Sequence, residues 1–409
     1  MDILQHGTYD FPVQRWKIRQ TRLRAVAIGM SAALAALGLS TLSSCSQTPP
    51  ADPALVIDLR WVQNYSGETR GNVDTGLYWA LSFLGAKLPA RANVLNWHGR
   101  VVTLDLSAAQ VQPDSKAAWK KLLQTLKSSG EYRKTGAIDV GRFVLLSLCS
   151  ANHYYALTGT SPTLSGFLVG HTFESRQIGV VESGVAHGNR LIEVGTGGVS
   201  GTMVFVAYEG RGSLQDGSFQ KEDIETLEFM QNGQLHFALY DLSGNLTTAA
   251  TPELTKAGKP SKCLWCHEIN LNPPFLNKTE LPGYYSTQEF KDLVARQMRL
   301  VTSYRQALRS KVDFGKTQDH TNAENLYLSF AQPTAERLAA EWNISVDDVR
   351  RILRAGNLKP HPHSVEADDG ILGDALYDRS QVDALAPYSS VRGPTDFREP
   401  SSYEPDLLR

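Results

Sequence analysis

Cysteine is scarce in this chain: four in 409 residues, at Cys45, Cys149, Cys263 and Cys266. So few in so long a chain exclude a disulfide scaffold. No charge of one sign dominates either. The 41 basic and 42 acidic side chains leave a formal charge of −1, and removing the five basic and two acidic side chains of residues 1–44 leaves 36 against 40, or −4. That balance gives no electrostatic footprint for nucleic acid, and we expect no nucleic-acid partner. No internal repeat is apparent, which argues against a solenoid. There is also no nucleophile motif, phosphate loop or paired-carboxylate signature to name a substrate, so whether the chain is an enzyme stays open.

What is present begins with residues 1–45. Arg15, Lys17, Arg19, Arg22 and Arg24 form a basic stretch. Residues 25–42 follow without a charge and are rich in Ala and Leu, and then comes Leu42-Ser43-Ser44-Cys45. A basic head, an apolar run and a small-residue cleavage site make an export signal. The run is Ala/Gly/Ser-rich and only weakly hydrophobic, although an uncleaved anchor remains an alternative. The four closing residues resemble the lipobox of bacterial lipoproteins. That resemblance implies cleavage before Cys45, lipidation of its sulfur, and a chain held on a membrane of the bacterial cell envelope, outside the cytoplasm. Acyl chains contribute about 0.8 kcal/mol per buried methylene, enough for two or more to hold a soluble domain on a bilayer. Residues 46–53 (SQTPPADP) then read as an extended tether.

The expected organisation is a signal peptide at 1–44, a lipid anchor and linker at 45–55, an α+β region with hairpins at 56–250, a mostly helical region at 251–355, and an irregular tail at 356–409. Within the α+β region, strands are expected at 56–60 and 101–106. A helix is expected at 74–88, capped by Asp74 and ended by Pro89, another at 115–129, stopped by Gly130, and a buried one at 139–149. Strands are expected at 177–182, 190–194 and 203–208. Residues 226–230 and 234–240 flank Asn232-Gly233, the strongest short hairpin signal. Further on, Ser286 with Glu289 forms a capping box, and Phe290, Leu293, Val294, Gln297, Val301, Tyr304 and Leu308 keep helical spacing behind it. Residues 334–353 read as two helices joined by a turn, with Ser345 capping the second. A DNA-binding role for that unit conflicts with export and with the charge.

The chemistry lies in Cys263-Leu264-Trp265-Cys266-His267. Thiols at i and i+3 of a helical turn point the same way, so both can add to the vinyl groups of one porphyrin, and the following imidazole can reach its iron. The pentad resembles the haem-attachment motif of c-type cytochromes. The resemblance implies one covalent haem c, thioethers at Cys263 and Cys266, and His267 as proximal iron ligand. With four cysteines and ten histidines, chance gives such a pentad in about one chain in a thousand. Other readings are a redox thiol pair, a strained local disulfide or a zinc site, which would usually need two more close ligands. Cys149 follows a leucine-rich run and reads as a buried apolar thiol.

The sixth iron position has several candidates. Met298 lies in the helix beginning near Thr287, beside its apolar stripe, where a core methionine is the competing account. His320 falls in a polar loop, His361 and His363 in a Pro-His-Pro-His run, and His171, His187 and His236 in the β-rich part. Two prolines in residues 270–275 (NLNPPF) end the motif turn. Small class I cytochromes lack the ~200 residues of mixed structure that precede the motif here. Three functions follow as expectations. One is an electron-transfer lipoprotein with a redox partner protein. Another is a haem enzyme or small-ligand sensor with an open sixth site. The third is a non-haem binding lipoprotein with a CxxC disulfide.

Overall fold

Val56–Arg60 forms β1, and its alternation puts Ile57 and Leu59 in the core. The computed structural model describes residues 52–65, 67–181, 189–251, 254, 260–267, 269–271, 280–360, 376–382 and 406–408. The export segment, Cys45, His187, His361 and His363 lie outside them, as does the Cys266 side chain. Helix α1 (Arg70–Phe83) starts four residues before Asp74, because Thr69 and Asn72 form a reciprocal cap. Asp74 instead accepts a hydrogen bond from Trp97 Nε1 at 2.8 Å. The helix also ends at Phe83, ahead of Pro89. β2 (Leu95–His98) and β3 (Val101–Asp105) follow, then α2 (Lys116–Lys127) and α3 (Gly130–Thr135). Ser129 caps α3, so Gly130 opens a helix where a stop was expected. β4 (Ile138–Asp139) completes a sheet of order β2-β3-β1-β4, parallel only between β1 and β4.

Asp139 accepts hydrogen bonds from the Gly141 and Arg142 amides and so caps α4 (Val140–Val144). A π-helical turn, Leu145–Cys149, continues it. Two helices that the sequence pattern did not announce come next, α5 (Ala151–Thr158) and α6 (Leu164–Leu168). The second sheet then forms from β5 (Thr172–Phe173), β6 (Ile178–Val180), β7 (Asn189–Thr196), β8 (Val204–Arg211), β9 (Gln220–Phe229) and β10 (Leu235–Tyr240). It is antiparallel, of order β10-β9-β8-β7-β5, with β6 also on β7. The Asn-Gly hairpin forms as expected. Gly233 takes the left-handed conformation (φ 83°) and donates its N–H to Met230 O at 2.8 Å, while the Asn232 amide bonds inward to Ser82 O and Ala86 O at 2.7 and 2.9 Å.

β10 is the edge strand of this sheet, and an open edge invites pairing with other chains. Here the hydroxyls of Tyr154 and Tyr155 on α5 accept its Phe237 and Leu239 N–H groups, each at 3.3 Å. After β10 the regular elements are helical: α7 (Pro260–His267), α8 (Thr287–Leu308), α9 (Thr321–Ala331), α10 (Ala335–Trp342), α11 (Val346–Ala355) and the single turn α12 (Arg379–Val382). The architecture is α+β. The Ser286–Glu289 capping box opens α8 and Ser345 caps α11, both as expected.

The change from strand to helix near residue 250 does not divide the core, which runs without a break from Leu55 to Phe330. α9 packs on α1 and α4, and at Gly141 a Cβ would fall 2.3 Å from Leu326 O, so only glycine permits that approach. α10 and α11 bury a second, smaller cluster with Tyr377 and Val382. The described parts of the tail are therefore anchored. Near the C-terminus the Leu407 N–H donates to His153 Nε2 at 2.8 Å, and the other ring nitrogen of that buried histidine meets Leu146 O at 2.6 Å.

Candidate functional site

α7 is short, and Pro260 stands as its first residue, where a missing N–H costs nothing. It packs against β10, α5 and the π-helical turn. Cys263 is buried and belongs to the main core. Burial pushes the hydroxyls of Tyr154 and Tyr155 on the neighbouring α5 above the ordinary tyrosine range, against a weaker opposing hydrogen bond from the β10 backbone to each. Cys266 is one helical turn further along the same helix.

His267 ends α7. Its ring lies tilted on Phe237, centroids 5.3 Å apart. Burial, and then the positive charge of Arg190, hold its imidazole at about 4, below the ordinary 6.5, against a weaker opposing backbone hydrogen bond at Asn270. The ring is thus neutral at pH 7, the state in which histidine offers a lone pair to a metal. Arg190 on β7 pairs with Glu209 on β8 and lies 3.6 Å from Glu225 Oε2 on β9. Arg190 and Glu209 are buried. Yet Arg190 Nε, Glu209 Oε2 and Glu225 Oε1 make no hydrogen bond among the described residues. Orphaned buried polar atoms cost roughly 1–3 kcal/mol each unless water or a bound group satisfies them.

The turn after the motif is held by α8. Leu271 N–H donates to Met298 Sδ at 3.4 Å. Arg305, seven residues and two turns along the same face, donates Nη2 to Ile269 O and Nε to Gly233 O at 2.8 Å. It is buried over Phe314, 4.4 Å from the ring centroid, and burial alone lowers it to about 10, so it keeps its charge. Arg305→Ala leaves two carbonyls unsatisfied and is expected to cost about 3 kcal/mol. A urea midpoint measured against wild type checks this, and Arg305→Lys should recover only part of the loss, lacking the planar fork.

Met298 is therefore brought to the motif turn, half-buried against the core. The histidines are not. His236 precedes Phe237 on β10, so it projects from the opposite face of the sheet to the one His267 covers. His171 lies against Phe167, 4.9 Å between centroids, with Nε2 3.9 Å from Glu228. His320 is buried rather than in an open polar loop, with Nδ1 on Thr317 O and its ring 6.2 Å from Trp79. Cys149 closes the π-helical turn, partly buried against the core. Among the described residues no group of three or more His, Cys, Asp or Glu side chains is placed to hold a metal ion. Comparison with family models, with curated proteins and with solved structures finds no match to the chain.

Arg190, Glu209, Glu225, Tyr154 and Tyr155 were not singled out from the sequence. Each is an ordinary strand or helix residue there. Only the register of β7, β8 and β9 collects the first three.

Proposed function

We propose that this protein is a lipid-anchored, extracytoplasmic monohaem protein of the c type that passes single electrons to a redox partner protein. The observation that carries the reading is the placement of Cys263 and His267 on one short helix, with the imidazole kept neutral by burial. The donor set fits the group. Cys263 and Cys266 would hold the porphyrin through thioethers, and His267 would be the proximal ligand. Met298 is the proposed distal ligand, since its sulfur already sits at the turn after the motif. When bound, the haem supplies a one-electron ferrous–ferric couple. Cys45, by its lipobox context, would hold the chain on a membrane of the bacterial envelope.

A second reading has a specific observation behind it. The Arg190–Glu209–Glu225 group, whose cation acts on the His267 ring, is more charged equipment than a bare electron carrier uses. It suits a haem enzyme or small-ligand sensor with an open sixth position. Expression with a haem c maturation system decides between the readings. A positive pyridine haemochrome is expected, with a low-spin resting spectrum that becomes high-spin in Met298→Ala. A high-spin wild type that binds CO directly would select the second reading. Mature protein that stays colourless beside working maturation machinery would overturn both.

A further inference from the structure

On the other face of β10, three side chains stand in line, two from the β9–β10 hairpin and one from the end of α5. Thr160 Oγ1 is 2.7 Å from His236 Nε2, and His236 Nδ1 is 3.1 Å from Glu228 Oε1. His236 and Glu228 are a directly opposed cross-strand pair, which fixes their spacing. As a carboxylate Glu228 only accepts, so the Nδ1 facing it carries the hydrogen and Nε2 turns its lone pair to the Thr160 hydroxyl. That is the order hydroxyl, imidazole, carboxylate by which a weak nucleophile is activated. The imidazole is buried and its ring lies 6.0 Å from that of Tyr154, which keeps it in one orientation. Thr160 follows Gly159, the left-handed residue closing α5, and the carbonyl end of a helix favours positive charge on a nearby imidazole. The Thr160 hydroxyl has a second neighbour, Thr158 Oγ1 at 2.8 Å, whose proton is shared between Thr160 Oγ1 and Tyr154 O, the latter 2.7 Å away, so that Thr160 keeps its own proton for His236.

Thr160 also lines a pocket of about 270 Å³, with Asn152, Ala156, Leu246 and Thr248 among its walls. Asn152 on the wall carries a side-chain amide, the kind of donor that stabilises an oxyanion. The walls carry no charge.

We infer that Thr160, His236 and Glu228 form a hydrolytic site for small uncharged esters with short acyl groups. Thr160 Oγ1 forms a bond to the ester carbonyl carbon as its proton passes to His236 Nε2. The bond from that carbon to the alcohol oxygen breaks, and the proton leaves with the alcohol. Water then attacks the acyl-threonine, giving its proton to His236. The Thr160 oxygen takes that proton as the carboxylic acid departs. Glu228 touches no substrate and is a positioning residue. The site is separate from His267, and its readout does not depend on bound haem.

The test uses the purified full mature chain, p-nitrophenyl acetate and an alkyl fluorophosphonate probe. A covalent adduct mapped to Thr160 is expected, and p-nitrophenyl acetate turnover that falls about 10²–10⁴-fold in Thr160→Ala and His236→Gln. Thr160→Ser should keep both labelling and turnover. Glu228→Gln should lower kcat about tenfold or more and leave KM nearly unchanged. Should Thr160→Ala fail to fold, labelling of the wild type and of Thr160→Ser decides alone. No adduct on Thr160 in the wild type, or equal turnover by a folded Thr160→Ala, would show that the three residues only tie α5 to the sheet.

Discussion

Haem retained on a denaturing gel is expected to vanish in Cys263→Ala, Cys266→Ala protein matured beside the wild type. The two substitutions take away the only covalent links proposed, so the effect is all or none rather than graded. Each single variant keeps one thioether and should keep the stain. His267→Ala is expected to behave differently. Its two cysteines still stand one turn apart on α7, so attachment persists while the iron loses its protein imidazole. The resting spectrum should turn high-spin, and added imidazole should reverse it. Burial makes this last result informative. The His267 ring is held neutral against Phe237, so removing it opens space where free imidazole can bind. Full haem staining by the double cysteine variant would refute the thioether assignment, whatever the colour of the sample.

How far the sequence discloses this fold depends on the range over which each signal acts. The capping box at Ser286, the hairpin at Asn232-Gly233 and the cap at Ser345 are contained within a few residues, and all three form where expected. The start of α1 was misplaced because Asp74 and Thr69 are both acceptable caps. The choice between them is made by Trp97 on β2, which donates to the Asp74 carboxylate. α5 went unseen because its burial is nearly all round, so no helical stripe appears: His153, Tyr154, Tyr155 and Leu157 are all buried. The candidate haem site was legible in its cysteines and histidine, which lie within five residues, and illegible in its surroundings. Arg190, Glu209 and Glu225 meet only through sheet register, and Met298 reaches Leu271 only through the path of α8. Thr160 and Glu228 are likewise ordinary residues until β9 and β10 pair, and that pairing sets His236, a candidate iron ligand by sequence, between them instead.

The largest stability effect is expected at Glu341, which joins the two cores through buried charge. Its carboxylate accepts Arg379 Nη1 at 2.7 Å and Nη2 at 2.8 Å, and also Arg337 Nε at 2.7 Å. Arg337 passes on to Asp139 Oδ2 at 2.8 Å and to Asn64. Arg379 adds a bond to Phe330 O at 2.7 Å, and both guanidinium groups lie over the Phe330 ring. The side chains of Arg337 and Arg379 are 1% exposed and that of Glu341 6%. Water therefore cannot replace what Glu341 supplies. Such a pair adds little net stability over a well-packed apolar substitute, but removing one partner leaves the other as an uncompensated buried charge. Glu341→Ala leaves two guanidinium groups short of their shared partner and should cost about 3–5 kcal/mol. It should also release the turn at Arg379, so limited proteolysis is expected to cut residues 376–382 faster than in the wild type. The control is Arg350→Ala, which breaks an ion pair to Glu336 whose side chains are 49% and 60% exposed. Solvent screening limits that loss to under about 1 kcal/mol. Urea midpoints measured in one series compare the two. If Glu341→Ala unfolds at the same urea concentration as Arg350→Ala, the buried network does not fasten the α10–α11 unit to the sheet and helices before it.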